Sequence, residues 1–269
     1  MEIRTSEAKM RIVIKVGTST LAHKTGRLNI RRTEALCRII SDIKNSGHEV
    51  VIVSSGAIGM GAAKLSFTER PTDIATKQAA AAVGQCELMY IYDKLFGEYH
   101  HTVAQILLTG SDFSHKDRLQ NFVNTISRLL ELNVLPIINE NDTVATDEIK
   151  VGDNDTLSAL VSVNTDADLL VLLSDIDGLY TADPRVDPNA SLIKRVTGIT
   201  PEIFALAEDS KSGLGTGGMK TKLSAAELCL KNGCGMVIAN GSVPECLYNI
   251  ADGDFDNILC TVFSPKEEA

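Results

Sequence analysis

Arg11-Ile-Val-Ile-Lys-Val16 is a short, almost continuous aliphatic run, and it decides the fold class. Similar runs recur at Glu49–Ser54 and at Leu169–Leu173, and longer segments with apolar residues at helical spacing separate them. Aliphatic strands without polar alternation are buried on both faces, and strands separated by helices pair in parallel. The sequence therefore predicts an α/β protein, a three-layer αβα sandwich with a mostly parallel central sheet.

The same patterns extend along the whole chain. Further strands are predicted at 102–108, 134–138, 235–239 and 258–262, and helices at 30–44, 75–96, 119–132, 155–163, 201–210 and 223–230. Gly84 is a predicted weak point inside the helix at 75–96. A boundary at 164–166 divides a single domain, 1–269, into an N-terminal lobe of about 1–165 and a C-terminal lobe of about 166–269.

Composition limits the functional classes. The formal net charge of −9 over 269 residues argues against non-specific nucleic-acid binding. No apolar run is long enough to span a membrane and no signal peptide is visible, so a cytoplasmic protein without a membrane partner is expected. The six cysteines are scattered and form no C-x-x-C pair, which favours reduced thiols and no structural metal site.

Small and polar residues follow the predicted strands, where parallel sheets bind ligands. These segments are Lys15–Thr20, Ser54–Gly61, Asn139–Asp142 and Ser174–Gly178. Lys15 is a cation within an apolar strand, so either its ammonium group meets an anion or its side chain reaches the surface.

Gly213-Leu-Gly-Thr-Gly-Gly-Met-Lys-Thr-Lys222 runs directly into the predicted helix at 223–230. Glycines before a helix N-terminus allow unpaired N–H groups to bind a phosphate, so a nucleotide-phosphate site is predicted. The segment formally matches G-x-G-x-x-G, but no strand precedes it, and it is not a Walker A loop. A dinucleotide site and a surface loop without a ligand are the alternatives.

Two further features indicate a second, smaller ligand. Val53–Gly61 is another glycine-rich turn from a strand to a helix, which suits a phosphate or a carboxylate. The clusters Asn139-Glu-Asn-Asp142 and Gly152-Asp-Asn-Asp155 combine amides with carboxylates, which suits a zwitterion. Turn formation alone is the alternative for either cluster.

These motifs, in this order and together with Ser174-Asp-Ile-Asp-Gly-Leu-Tyr-Thr-Ala-Asp-Pro184, resemble the amino acid kinase family from about Met10 to Phe263. The resemblance implies ATP-dependent phosphorylation of the γ-carboxylate of L-glutamate to L-glutamyl 5-phosphate, the first step of proline biosynthesis. It also implies inhibition by L-proline, a homo-oligomer (dimer or tetramer) and a possible glutamyl phosphate reductase partner. Many bacterial relatives carry an additional C-terminal domain of the RNA-modification (PUA) type, and a form without that domain is expected here.

The resemblance also assigns roles to residues. Lys15 and Lys222 would contact the transferring phosphoryl group, and Asp155 would position both lysines. The residues that fall where the family binds glutamate are Ser55, Gly56, Ala57, Asn139, Asp142, Asp153 and Asn154. The residues that fall where it binds ATP are Lys15, Ser174, Asp175, Thr216, Gly217, Gly218, Met219, Lys220, Thr221 and Lys222. Mg²⁺ would arrive with ATP and need no dedicated protein site.

Three other functions remain open at this point. A kinase of the same fold could act on aspartate, N-acetylglutamate, carbamate or uridylate, although the amide-rich clusters favour a small free amino acid. A non-catalytic amino-acid sensor is disfavoured because both lysines are present. A nucleic-acid-binding protein is disfavoured by the acidic charge.

Overall fold

The computed structural model describes residues 9–23, 25–69, 71–144, 154–207 and 218–264. The strands are β1 (Arg11–Val16), β2 (Glu49–Ser54), β3 (Val103–Leu108), β4 (Leu135–Glu140), β5 (Leu169–Ser174), β6 (Arg195–Val196), β7 (Gly235–Asn240) and β8 (Cys260–Phe263). The helices are α1 (Thr18–Leu21), α2 (Ile30–Asn45), α3 (Ala57–Lys64), α4 (Ile74–Gly97), α5 (Gly110–Ser114), α6 (Lys116–Glu131), α7 (Asn154–Asn164), α8 (Pro201–Ala205), α9 (Met219–Lys231) and α10 (Cys246–Ala251).

Within the described ranges, the strands form one sheet in the order β3-β4-β2-β1-β5-β7-β8-β6. Every neighbouring pair is parallel except β7 and β8, which are antiparallel. The mostly parallel α/β sheet predicted from the sequence is therefore confirmed. β1 lies near the middle, between β2 and β5, so the sheet is continuous across residues 164–166.

The hydrophobic core lies on both faces of the sheet. Ile12 and Ile14 belong to a cluster that includes side chains of α2, α4 and α10. Val13 belongs to a second cluster on the opposite face, with side chains of α6, α7 and α9. Since successive strand residues point to opposite faces, Lys15 lies on the Val13 face, beneath α7 and α9.

The predicted weak point at Gly84 is wrong, because α4 runs through it without interruption. A Cβ atom on Gly84 would lie 1.8 Å from the carbonyl oxygen of Ala57, and one on Gly61 would lie 1.7 Å from the carbonyl oxygen of Ala80. Glycine is needed at both positions because the backbones of α3 and α4 touch there. The helix crossing thus fixes α4 against the first turn of α3.

The described residues contain no helix that combines the length and the apolar character needed to cross a bilayer. All six cysteines are free thiols, and five of them are buried.

Candidate active site

The carboxyl ends of the parallel strands bring the predicted site residues to one edge of the sheet. β1 carries Lys15 at the centre of this edge. The ends of β2 and β4 lie on one side, and the ends of β5 and β7 lie on the other. A position where strands extend to both sides of a central strand is where α/β sheets bind ligands.

Lys15, Asp155 and Lys222 form a buried ionic cluster. The Nζ atom of Lys15 lies 2.6 Å from Oδ1 of Asp155, and Nζ of Lys222 lies 2.8 Å from Oδ2. The Asp155 side chain is 0% exposed, against 12% for Lys15 and 8% for Lys222. One carboxylate therefore holds two ammonium groups, and the cluster carries a net positive charge that suits an anionic ligand.

The pKa of Asp155 shows how strongly the two lysines act. Burial alone raises the pKa of this carboxyl group, but Lys15 and Lys222 more than offset burial through charge and hydrogen bonding, so the pKa falls from 3.8 to about 2. Asp155 also lies in the first turn of α7, where the helix dipole favours a negative charge. The carboxylate is therefore fully ionised at neutral pH.

Helix α9 brings its N-terminus to the same cluster. It begins at Met219, and Gly218 precedes it without a side-chain cap, so first-turn N–H groups are available to an anion. The hydroxyl group of Thr221 lies 3.2 Å from Oδ2 of Asp155 and 2.8 Å from the carbonyl oxygen of Gly218. Lys220 is exposed. Thr216 and Gly217, with the rest of the glycine-rich segment before 218, lie outside the described residues.

An amide cluster lies on the β2–β4 side. The Nδ2 atom of Asn154 lies 2.7 Å from the carbonyl oxygen of Ser54, 2.7 Å from Oγ of Ser55 and 3.0 Å from Oδ1 of Asn139. Burial raises the pKa of Asp142, which follows β4. Asn154 thus contacts two other predicted residues, Ser55 and Asn139, whereas Asp153 lies outside the described residues.

The turn after β2 completes this side. Gly56 has φ +101°, a left-handed conformation that favours glycine, and it precedes α3 without a side-chain cap. Ala57 begins α3, so its N–H group and those after it are helix donors without helical acceptors. The turn therefore offers uncapped helix donors, and the carboxylate or phosphate site at 55–57 stays a prediction.

The β5–β7 side carries the other predicted residues and three that the sequence reasoning missed. Ser174 donates to Asp175 over 3.3 Å. Asp177 accepts from the hydroxyl group of Tyr180 at 2.9 Å and from Nδ2 of Asn240 at 2.8 Å. Asp177 and Tyr180 fall within the motif Ser174–Pro184, whereas Asn240 could have been found as the polar residue that ends an aliphatic strand.

Gln85 was also missed. It lies within α4, is 7% exposed, and accepts a hydrogen bond of 2.9 Å from Nδ2 of Asn139. Its sequence context is a helix rich in alanine, which gives no signal for a polar site. Within the described ranges, no three His, Cys, Asp or Glu side chains are grouped so that they could hold a metal ion.

The chain is similar to known proteins over most of its length. Residues 10–240 match the model of the amino acid kinase family. A protein from Clostridium perfringens named glutamate 5-kinase is 52% identical over 248 residues, which cover 91% of this chain and 92% of the relative. A glutamate 5-kinase from Caldanaerobacter subterraneus is 51% identical over 91% of this chain but only 66% of its own length. The structure of a carbamate kinase from Giardia lamblia bound to AMP-PNP has a TM-score of 0.66 at 17% identity and covers 96% of this chain and 99% of its own.

Proposed function

Because this chain belongs to the amino acid kinase family, we propose that it catalyses ATP-dependent phosphorylation of the γ-carboxylate of L-glutamate to L-glutamyl 5-phosphate. The observation that carries the proposal is the position of the Lys15–Asp155–Lys222 cluster. It lies between an amide-lined side that suits an amino acid and a side with a helix N-terminus that suits phosphates. The names of the relatives support glutamate as the acceptor.

The reaction needs little chemistry from the protein. A γ-carboxylate oxygen of glutamate attacks the γ-phosphorus of ATP, the new C–O–P bond forms, and the bond to the β–γ bridging oxygen breaks as ADP leaves. The attacking carboxylate is already ionised at neutral pH, so no general base is required. Positioning and neutralisation of the phosphoryl charge are the remaining tasks.

Lys15 and Lys222 perform both tasks. Each ammonium group donates hydrogen bonds to oxygens of the transferring phosphoryl group and balances their negative charge. Asp155 acts through the lysines, because its two oxygens fix the two ammonium groups before the substrates bind. Positioning before binding lowers the reorganisation that the reaction would otherwise need.

Mg²⁺ is proposed as the ion that ATP brings to the site. When bound, it shields the charge of the β- and γ-phosphates. Both oxygens of Asp155 are occupied by lysines, which fits an ion held by the nucleotide rather than by this carboxylate.

We assign the two substrates to the two sides of the cluster. The N-terminal lobe, about 1–165, binds glutamate through Ser55, Gly56, Ala57, Asn139, Asp142, Asp153 and Asn154. The C-terminal lobe, about 166–269, binds ATP through Ser174, Asp175, Thr216, Gly217, Gly218, Met219, Lys220, Thr221 and Lys222, together with Lys15. The ATP analogue in the Giardia lamblia structure supports a nucleotide in this fold. Asp177, held by Tyr180 and Asn240, extends the nucleotide side.

Regulation and assembly are part of the proposal. Inhibition by L-proline would act at the glutamate side, because proline shares the α-carboxylate and the ammonium group of glutamate. The proposal also includes a homo-oligomer and a cytoplasmic location. It further includes a glutamyl phosphate reductase partner that captures the labile acyl phosphate. Turnover of the acyl phosphate with and without an added reductase tests the partner.

The decisive experiment measures ATP consumption with a panel of acceptors while hydroxylamine traps any acyl phosphate. Glutamate-dependent hydroxamate, absent with aspartate and N-acetylglutamate, is the expected result. If another acceptor gave as much hydroxamate as glutamate, the assignment of glutamate as the acceptor substrate would be refuted. ATP binding without hydroxamate from any acceptor would instead support the sensor alternative.

A further inference from the structure

Gln85 lies where the two parts of the proposed glutamate pocket meet. Its neighbour Gly84 is in backbone contact with Ala57 at the start of α3. The Gln85 side chain itself reaches across to Asn139 at the end of β4. One buried side chain of α4 therefore contacts the amide cluster and lies next to the helix N-terminus at 57.

The hydrogen bonds fix the orientation of every amide in this cluster. The backbone N–H group of Glu140 can only donate, and it lies 2.9 Å from the side chain of Asn139, so the Asn139 atom there must be the oxygen. The NH₂ group of Asn139 then faces Gln85, whose near atom must be Oε1 at 2.9 Å. Oδ1 of Asn139 also accepts from Asn154.

Asn154 is the last member of the relay Gln85–Asn139–Asn154. Its Nδ2 atom faces three acceptors, on Ser54, Ser55 and Asn139, so its carbonyl oxygen is turned away from the relay. Within the described residues, this oxygen accepts no hydrogen bond. This carbonyl oxygen can accept a hydrogen bond, and at neutral pH the strong donor on a free amino acid is the α-ammonium group.

The other end of the relay carries an unpaired group. The Nε2 atom of Gln85 is buried and has no hydrogen-bond partner among the described residues. A buried donor without a partner costs roughly 1 to 3 kcal/mol. Among the described residues, the side-chain hydrogen bond that Gln85 makes is therefore the one through its carbonyl oxygen to Asn139.

We propose that Gln85 is a positioning residue for the acceptor substrate: through Asn139, it holds Asn154 with its carbonyl oxygen toward the α-ammonium group of glutamate. The inference rests on the proposed function and deepens it, because it explains recognition of a free α-amino acid. If Gln85 loses its acceptor, the NH₂ group of Asn139 loses its hydrogen bond to α4. The Glu140 N–H group and the Ser54 carbonyl oxygen still select the same amide orientations, so Asn139 and Asn154 are held less firmly rather than inverted.

The test compares Gln85→Met, which keeps the length but removes the acceptor, with Gln85→Glu, which retains it. Burial favours the neutral form of the introduced acid, whose carbonyl oxygen takes the place of Oε1. Gln120→Met is the matched control, because Gln120 is exposed on α6. Steady-state kinetics give KM for glutamate and for ATP, and glutarate, which is glutamate without the ammonium group, serves as a competitive inhibitor.

For Gln85→Met, KM for glutamate should rise at least fivefold, while KM for ATP and Ki for glutarate stay within twofold. For Gln85→Glu and Gln120→Met, KM for glutamate should stay within threefold of the parent value. An equal rise of KM for glutamate and Ki for glutarate, or no rise at all, would overturn the inference. If Gln85→Met does not fold, Gln85→Glu decides alone, and a tenfold rise in its KM for glutamate would overturn the inference.

The parent protein distinguishes this inference from the proposed function. Glutamate-dependent turnover of the parent is measured first, and its absence would refute both. Normal parent turnover with an unchanged Gln85→Met variant would refute only the role of Gln85.

Discussion

Replacing Lys222 with methionine tests the centre of the proposed mechanism. Methionine keeps most of the aliphatic volume of this buried side chain but removes the ammonium group that lies 2.8 Å from Asp155. Lys15 remains 2.6 Å from the other oxygen, so Asp155 keeps a partner and the protein should stay folded. The charge of the three-residue cluster falls from +1 to 0.

The expected magnitude follows from Coulomb's law. A cation about 4 Å from a phosphoryl oxygen contributes roughly 4 kcal/mol at an effective dielectric constant near 20. At 1.36 kcal/mol for each factor of ten, Lys222→Met should lower kcat roughly a thousandfold. KM for glutamate should stay within about threefold, because the amide cluster at Asn139 and Asn154 lies on the opposite side of Lys15.

Rapid-quench measurement of phosphoryl transfer, with ATP and glutamate saturating, gives the chemical step directly. Lys231→Met is the control, since Lys231 is an exposed lysine at the end of the same helix, paired with Glu227 at 2.7 Å. The control should retain parent activity. A Lys222→Met protein whose phosphoryl transfer is slowed less than tenfold would refute the assignment of Lys222 to the transferring group.

Three further predictions follow from the structure. The pKa of Asp155 in the folded protein, about 2, lies below the ordinary 3.8, so the carboxylate stabilises the protein above about pH 4 and this stabilisation is lost as the pH falls toward 2. In acid denaturation, Asp155→Asn should lack this pH-dependent stabilisation of about 2 kcal/mol, and a pH profile equal to that of the parent would contradict the assignment. Gly84→Ala should lower the free energy of unfolding, measured in urea, by about 3 kcal/mol or more, because the new Cβ atom would collide with the backbone of α3. Gly97→Ala is the control and should be nearly neutral, since a Cβ atom there has nothing within 4 Å. Equal effects of the two variants would refute the backbone contact between α3 and α4. Tyr180→Phe should raise KM for ATP about tenfold and leave KM for glutamate unchanged, because Asp177 loses a hydrogen bond. A selective rise in KM for glutamate would refute the assignment of Asp177 to the nucleotide side.

The central strands were predictable because they are mainly aliphatic and buried on both faces of the sheet. The two-residue β6 (Arg195–Val196) carries no such pattern and was not predicted. The predicted bounds of β1 and β2 agree with the structure residue for residue, since Val16 and Ser54 are followed at once by small or polar residues. The antiparallel β8 differs. Its first predicted residue, Ile258, precedes the strand, and no local pattern in a short aliphatic run tells which direction it takes in the sheet.

Contacts between helices and strands that are far apart along the chain could not be predicted from the spacing of residues in the sequence. Gly84 was predicted to weaken its helix because glycine disfavours helices. The structure requires glycine there because the backbone of α4 touches Ala57 of α3, which lies 27 residues earlier in the chain (57 to 84). Gln85 gave no signal because its partner Asn139 is 54 residues distant. By contrast, Lys15 was a candidate from the sequence, since a lysine within an apolar strand either meets an anion or reaches the surface, and the structure shows that it meets Asp155.

The central place of β1 also has a consequence for the order in which the chain folds during synthesis. β1 can pair with β2 early, because the partners Ile12 and Val50 are only 38 residues apart (12 to 50), but its other edge pairs with Leu169, 157 residues beyond Ile12 (12 to 169). An uncovered aliphatic edge on a growing chain is prone to pair with other chains. The ion pair of Lys15 likewise forms only after Asp155 has been synthesised. The third member of the cluster, Lys222, follows Asp155 by 67 residues. Strand β1 is thus completed only after its partner at 169–173 has been synthesised.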